Sequence, residues 1–497
     1  MSSSKMWPLT DKRINQSVVT ARFAVRGSIT KRAWEIKAAL AEGDTSFPFS
    51  QVVSCNIGNP QLFDQQPLTY FRQVLAGVWL PESLQDSIKL PKEVMVTVKA
   101  LHKIVNNGKP GAYSHSQGHI GLRKIVAKFI ERRDGFAVDP VNLFFSDGAS
   151  AGVHKLLQML INSKKSTVLV PTPVYPLYTA AIHLYNGTSR GYLLDEANNW
   201  GLDIEEIKKS YKAALAEGLD VNSIVIINPG NPTGACLSKS NIEDVVEFCG
   251  QNKIVIIADE VYQENIYVDN KPFVSFKSVV MNSKYKNELQ LVSYHSISKG
   301  FIGECGKRGG YMELYNISKS VREEFYKLAG VNLCSNIDGQ LTTALMCMPP
   351  TKDMGDVYKL YEKEKGEILQ KLKDKANYLN ATLNKIRGIQ CNNIEGAMYA
   401  FPQFYMPQEC IDKCKKDGSK PDILFGMGVL NECGLCIVPG SGFGQREGSY
   451  HFRTTFLPSF EKMKDVYARF AKFYAKFLKD FHADEKKLDA WEKKYKN

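Results

Sequence analysis

Lys253–Tyr262 reads KIVIIADEVY: five consecutive apolar residues, Ile254 to Ala258, run into two carboxylates, Asp259 and Glu260, with a phenol at Tyr262. A run that is apolar at every position, rather than at alternate ones, fits a strand covered on both faces, as in a parallel sheet. A carboxylate at the end of such a strand needs a partner to offset its burial. The same texture recurs at 166–173 (STVLVPTP), 223–230 (SIVIINPG) and 289–296 (LQLVSYHS). Amphipathic stretches such as 241–252 (NIEDVVEFCGQN) lie between these runs. Such alternation predicts an α/β fold with a doubly wound, mostly parallel sheet flanked by helices.

The texture changes after this region. Residues 354–386 form a charged, periodic stretch without proline, read as one long helix linking two parts of the molecule. Short strands follow, then a loop rich in Pro, Lys and Cys over 402–421. In the closing helix Phe470, Phe473, Tyr474, Phe477, Leu478 and Phe481 recur on one face. A chain of 497 residues exceeds one ordinary core. The expected division is an N-terminal arm with part of a small domain over 1–90, a large domain over 91–369, and the rest of a small α+β domain over 370–497.

The formal charge of +12 comes from scattered lysines, many alternating with acids as in KKLDAWEKKYKN, and no basic stripe is interleaved with aromatics. Solubility and attraction for small anions explain it better than nucleic-acid binding. Eleven dispersed cysteines suit reduced thiols inside the cell. No apolar run of membrane-spanning length occurs. MSSSKMWPLTDKR is too short and too poor in arginine for a transit peptide, and the C-terminus is not a peroxisomal ending. Cytoplasm is the expected compartment. Cys410, Cys414, Cys433 and Cys436 raise zinc, but the run after Cys433 reads as a strand, where i and i+3 face apart, so no metal is expected.

Four punctuated segments stand at or just beyond the predicted strand ends, where open parallel sheets bind ligands. In SDGASAGVHKLLQML (146–160), Ala149 and Ser150 open a helix whose free N–H groups suit a phosphate. In NPGNPTG (228–234), Asn231 sits in an extended turn that aims its amide. Asp259 and Tyr262 come from the opening stretch. In SYHSISKGFIGECGKRGGYME (293–313), Lys299 follows two serines and precedes Arg308 by nine positions, with Lys307 beside that arginine. One ligand accounts for all four: pyridoxal 5'-phosphate, with an aldehyde for an amine, a ring nitrogen for a carboxylate and a phosphate for a helix start, a serine and an arginine. A dinucleotide fingerprint at Gly440, Gly442 and Gly444 is disfavoured because loop and strand, not helix, follow it.

These motifs resemble the class I, fold type I pyridoxal-phosphate aminotransferases, and GECGKRGGYME with CIVPGSGFGQ resembles their alanine aminotransferase branch. The resemblance runs from about residue 15 to the C-terminal helix. It implies a large domain with a mostly parallel sheet and a smaller α+β domain. It also implies Lys299 as Schiff-base lysine and general base, Asp259 on the pyridine nitrogen, and Asn231 and Tyr262 on the ring oxygen. Tyr175 would stack on the ring, while Ala149, Ser150, Ser296 and Arg308 hold the phosphate. Arg453 would grip the substrate carboxylate with Gly58 beside it. Tyr113 would reach the phosphate of a neighbouring subunit, which implies a homodimer. The implied reaction is ping-pong transamination of L-alanine and 2-oxoglutarate to pyruvate and L-glutamate. A glutamate–glyoxylate or other class I preference is the alternative.

Overall fold

The computed structural model describes residues 9–495 apart from positions 11, 64 and 107, so the first eight residues and the last two, weighed above for targeting, lie outside the described residues. An eight-stranded sheet organises the larger part. Its strands are β1 (Leu143–Ser146), β2 (Ser166–Thr172), β3 (Thr188–Asp195), β4 (Gly201–Leu202), β5 (Asp220–Ile227), β6 (Val255–Asp259), β7 (Leu291–Ser296) and β8 (Gly310–Tyr315). The spatial order is β1-β8-β7-β6-β5-β2-β3-β4. Strands β3, β2, β5, β6 and β7 are mutually parallel, and β1, β8 and β4 pair antiparallel at the flanks.

The consecutive apolar positions are explained by burial on both faces. In β6, Ile256 and Ala258 pack with Ile242, Val245 and Val246, while Val255 and Ile257 pack on the other side with Val153, Leu157 and Tyr294. Helices cover both surfaces, so the predicted α/β architecture is observed. Helix α1 (Ser28–Ala41) packs Ile29 and Ile36 against Leu430 and Cys436, far along the chain. Helices α2 (Thr69–Trp79) and α3 (Lys92–Ile104) share a core with α4 (Ile120–Asp134), so α2 sits with the sheet-bearing part.

After α5 (Ala149–Leu160), α6 (Phe276–Asn282) and α7 (Ile337–Cys347), the long predicted helix appears as α8 (Asp356–Asn384). Its first turns place Tyr361 in the core of the large part, and its later turns place Leu372, Ala376, Leu379 and Leu383 in that of the smaller one. Half of the loop expected over 402–421 is instead α9 (Gln408–Asp417). Cys410 and Cys414, one turn apart, are fully buried, while Lys413, Lys415 and Lys416 face outward. Gly418, at φ 66°, ends the helix in a left-handed conformation open to glycine. Helix α10 (Pro421–Cys433) then brings Phe425 within 4.2 Å of the Phe404 ring and 5.3 Å of Phe477 in α11 (Phe460–Asp480). Truncating Phe425 there would cost about 3–5 kcal/mol. No described helix is long and apolar enough to cross a membrane.

Candidate active site

A cavity of about 300 Å³ lies beyond the carboxyl ends of β5, β6 and β7, closed on its far side by segments of the smaller part. Its walls include Ala149, Ser150, Tyr175, Asn231, Asp259 and Tyr262 from the sheet side, then Ser296, Lys299 and Arg308, with Gly58 and Arg453 opposite. Of the residues expected at the site, only Tyr113 stands apart, 74% exposed on a surface loop.

One end of the cavity is built for an anion. Gly148, at φ 75°, precedes α5, whose first-turn N–H groups have no acceptor within the helix. The same turn carries Ala149 and Ser150. Arg308 closes this corner: Nη2 donates to the Asp147 carbonyl at 2.9 Å and Ser150 Oγ at 3.3 Å, and Nη1 to the Cys305 carbonyl at 3.0 Å. A Cβ at Gly148 would collide with that guanidinium. Ser296 Oγ accepts the Ser298 N–H at 3.0 Å. Neighbouring Lys307 turns away and pairs with Asp338 at 2.7 Å, leaving Arg308 as the cation of this corner.

The middle of the cavity holds the titratable groups. Asp259 accepts a hydrogen bond from Tyr178 Oη at 2.8 Å, and burial raises its pKa against that bond. Lys299 Nζ donates to the Gly58 carbonyl at 2.6 Å. A Cβ at Gly58 would lie 2.5 Å from Tyr399 Oη and 2.9 Å from Lys299 Nζ, so only glycine leaves the amine room. Tyr262 Oη donates to Tyr399 Oη at 3.1 Å. Burial drives the Tyr262 pKa far up. For Tyr399 burial also acts upward, but the positive charges of Lys299 and Arg453 and the Tyr262 bond outweigh it, and its pKa falls.

At the other end Arg453, 1% exposed, comes from β11 (Phe452–Thr455), which pairs antiparallel with β9 (Tyr399–Ala400) and β10 (Val438–Pro439). Nη1 donates to Asn231 Oδ1 at 2.9 Å and Nη2 to the Asn56 carbonyl at 2.5 Å. The guanidinium carbon lies 4.2 Å from the Tyr399 ring centroid and 4.8 Å from that of Phe443. Its Nε is buried without a partner, an orphan donor at the cavity wall.

Sequence reading missed Tyr178, Cys305 and Tyr399. Tyr178 follows Tyr175 by one helical turn, a signal that the PVYPLY stretch does carry. Tyr399 lies in a two-residue strand that offers no period to detect. The four cysteines considered for zinc are all buried and free, and among the described residues no group of three or more His, Cys, Asp or Glu could hold a metal ion.

Residues 83–470 match the family model described as aminotransferase class I and II. The chain is 47% identical to a probable mitochondrial alanine aminotransferase of Dictyostelium discoideum over 95% of its own length and 90% of the relative's. It is 46% identical to mitochondrial alanine aminotransferase 1 of Arabidopsis thaliana, over 96% and 89%. Glutamate–glyoxylate aminotransferase 2 of Arabidopsis thaliana is 41% identical, over 94% and 96%. Among solved structures, an alanine aminotransferase of Pyrococcus furiosus superposes with a TM-score of 0.72 at 26% identity, covering 93% of this chain and all of that one. The expected cytoplasmic location is corrected by these matches: three relatives, at 47%, 46% and 43% identity, are mitochondrial by name.

Proposed function

The chain belongs to the class I and II aminotransferases, and within that family we propose that it transfers the amino group of L-alanine to 2-oxoglutarate, giving pyruvate and L-glutamate. The single observation that carries this reading is the convergence of Lys299, Asp259, Arg308 and Arg453 on one cavity, with the alanine preference taken from the relatives' names. The residues fit pyridoxal 5'-phosphate: an anion corner cradled by Gly148, a buried carboxylate, a lysine kept uncrowded by Gly58, and an orphan Nε beyond it.

Arg308, Ser150, Ser296 and the α5 N–H groups would hold the phosphate. Asp259 would hold the ring nitrogen, Asn231 and Tyr262 the ring oxygen, Tyr175 the ring face, and Lys299 the aldehyde carbon. When bound, the cofactor supplies an aldehyde for the amino group and a ring that withdraws electrons from the substrate α-carbon. Asp259 favours a protonated ring nitrogen, and that cation would counter the upward push of burial on its carboxyl. Arg453 fixes the substrate carboxylate through its fork, orienting the α-hydrogen toward Lys299. Lys299 Nζ would act as the general base that takes up that proton. The same groups serve the second half-reaction in reverse.

The family's homodimer belongs to this reading. Tyr113, exposed and outside its own cavity, is assigned to a partner's phosphate corner. The glutamate–glyoxylate relative motivates a second acceptor, glyoxylate. Borohydride reduction of the holoenzyme and peptide mapping test the core of the proposal: the label is expected on Lys299, and label on another lysine overturns it. A panel of alanine, glutamate, aspartate and tyrosine, followed by the cofactor's absorbance, tests specificity. Failure of alanine to change the band removes the alanine reading.

A further inference from the structure

Several parts of the crevice meet at one residue that motif reading passes over. Tyr399, 3% exposed, is held by the β9–β11 pairing of Tyr399 with Thr455 and Ala400 with Thr454. Its ring lies under the guanidinium of Arg453, two residues along that partner strand, at 4.2 Å. A cation over an aromatic face is held more firmly when water is excluded, as here. Its hydroxyl accepts the O–H of Tyr262, and the two rings meet edge to face with centroids 5.9 Å apart. Its backbone presses on the turn that bears Asn231. A Cβ at Gly234, φ 72°, would lie 2.7 Å from the Tyr399 carbonyl oxygen, and the Gly396 N–H donates to the Gly234 carbonyl at 2.7 Å.

We propose that Tyr399 is a positioning residue joining the substrate end of the crevice to the cofactor end, its ring carrying Arg453 and its hydroxyl setting the direction of the Tyr262 hydroxyl. The inference rests on the functional reading above. The two jobs separate chemically. The ring alone supports Arg453, so phenylalanine preserves carboxylate binding. The hydroxyl alone gives Tyr262 an acceptor, so phenylalanine leaves Tyr262 free to rotate. Phe443, 4.8 Å from the same guanidinium, backs the platform from a second side and has no hydroxyl to replace the bond.

The test compares wild-type holoenzyme with Tyr399→Phe, Tyr262→Phe and the double variant, reading kcat, KM for alanine, and the visible circular dichroism of the bound cofactor. Tyr399→Phe is expected to lower kcat about fivefold, with KM unchanged within about twofold. Its cofactor dichroism should shift in the same sense as that of Tyr262→Phe. The double variant should lose no more than the worse single variant, because both changes break one bond. Tyr399→Leu, which removes the platform, should raise KM about tenfold. Multiplying losses in the double variant, or unchanged dichroism with a raised KM in Tyr399→Phe, overturns the proposal. The phenylalanine variants decide alone if the leucine variant does not fold. A wild-type enzyme without a lysine-bound cofactor band would instead overturn the functional reading itself.

Discussion

Two polar clusters lie back to back across β6–β8. On one side Asp259 faces the crevice with Tyr178, Lys299 and Arg308 around an open volume. On the other, its neighbour Glu260 is sealed beneath α4 and α6, accepting the Phe276 N–H at 2.8 Å with Arg133 at 3.9 Å. Lys277 pairs there with Glu313, both almost fully buried, and His295 and Tyr311 lie close by. Burial pushes Glu260 up to about 7 and His295 down to about 3. Perturbed, buried, charged groups are thus as dense in the sealed cluster as in the crevice. What separates them is access: one set surrounds space for a ligand, while the other is covered by helices. A perturbed titration marks a functional group only where a reactant can reach it.

The sharpest way to break this comparison is to change the two adjacent carboxylates separately. Asp259→Asn is expected to lower kcat about 10³-fold, while Glu260→Gln changes it by less than about threefold. Steady-state kinetics on both variants checks this, and equal losses would erase the distinction. Next, Lys277→Met should cost about 3–5 kcal/mol of stability by stranding the Glu313 charge, with kcat per folded molecule unchanged. Denaturant titration with active-site counting reads both. On the crevice side, Arg453→Lys should raise KM for alanine about 30-fold, because an ammonium cannot reproduce the fork.

A smaller effect concerns acid. Burial pushes His295 down to about 3 in the folded chain from its ordinary 6.5, so between those values the unfolded chain binds the extra proton. Native stability from this source is complete above about pH 6.5 and declines as pH falls toward 3. His295→Phe should therefore shrink the stability lost between pH 7 and 5 by about 1–2 kcal/mol. Denaturation midpoints at the two pH values measure it.

The crevice side was legible because its residues sit in segments with strong local grammar. Asp259 ends a five-residue apolar run, Asn231 lies between prolines and a glycine, and Lys299 precedes a glycine-spaced arginine. Arg453 and Gly58 came from family resemblance, since their own surroundings carry no period that marks them. Tyr399 stayed hidden because a two-residue strand has no alternation and its role depends on partners 137 and 54 positions away. Helix α9 was masked by Pro402, Pro407 and Gly418, which punctuate the stretch like a loop, while its lysines hid a buried stripe only two cysteines wide.

Helix α8 has one foot in each hydrophobic core: Tyr361 in the larger, Leu372 in the smaller, and Ile368 against both. The crevice walls that carry Lys299 and Arg453 are therefore joined by this helix, whose residues 361–372 bridge the two cores. Gly366 lies within that span, where an added methyl would touch nothing within 4 Å. Gly366→Ala should stiffen the helix and add about 0.5–1 kcal/mol of stability, measured by thermal or denaturant unfolding. The chain thus keeps a glycine in this helix midway between its two hydrophobic cores.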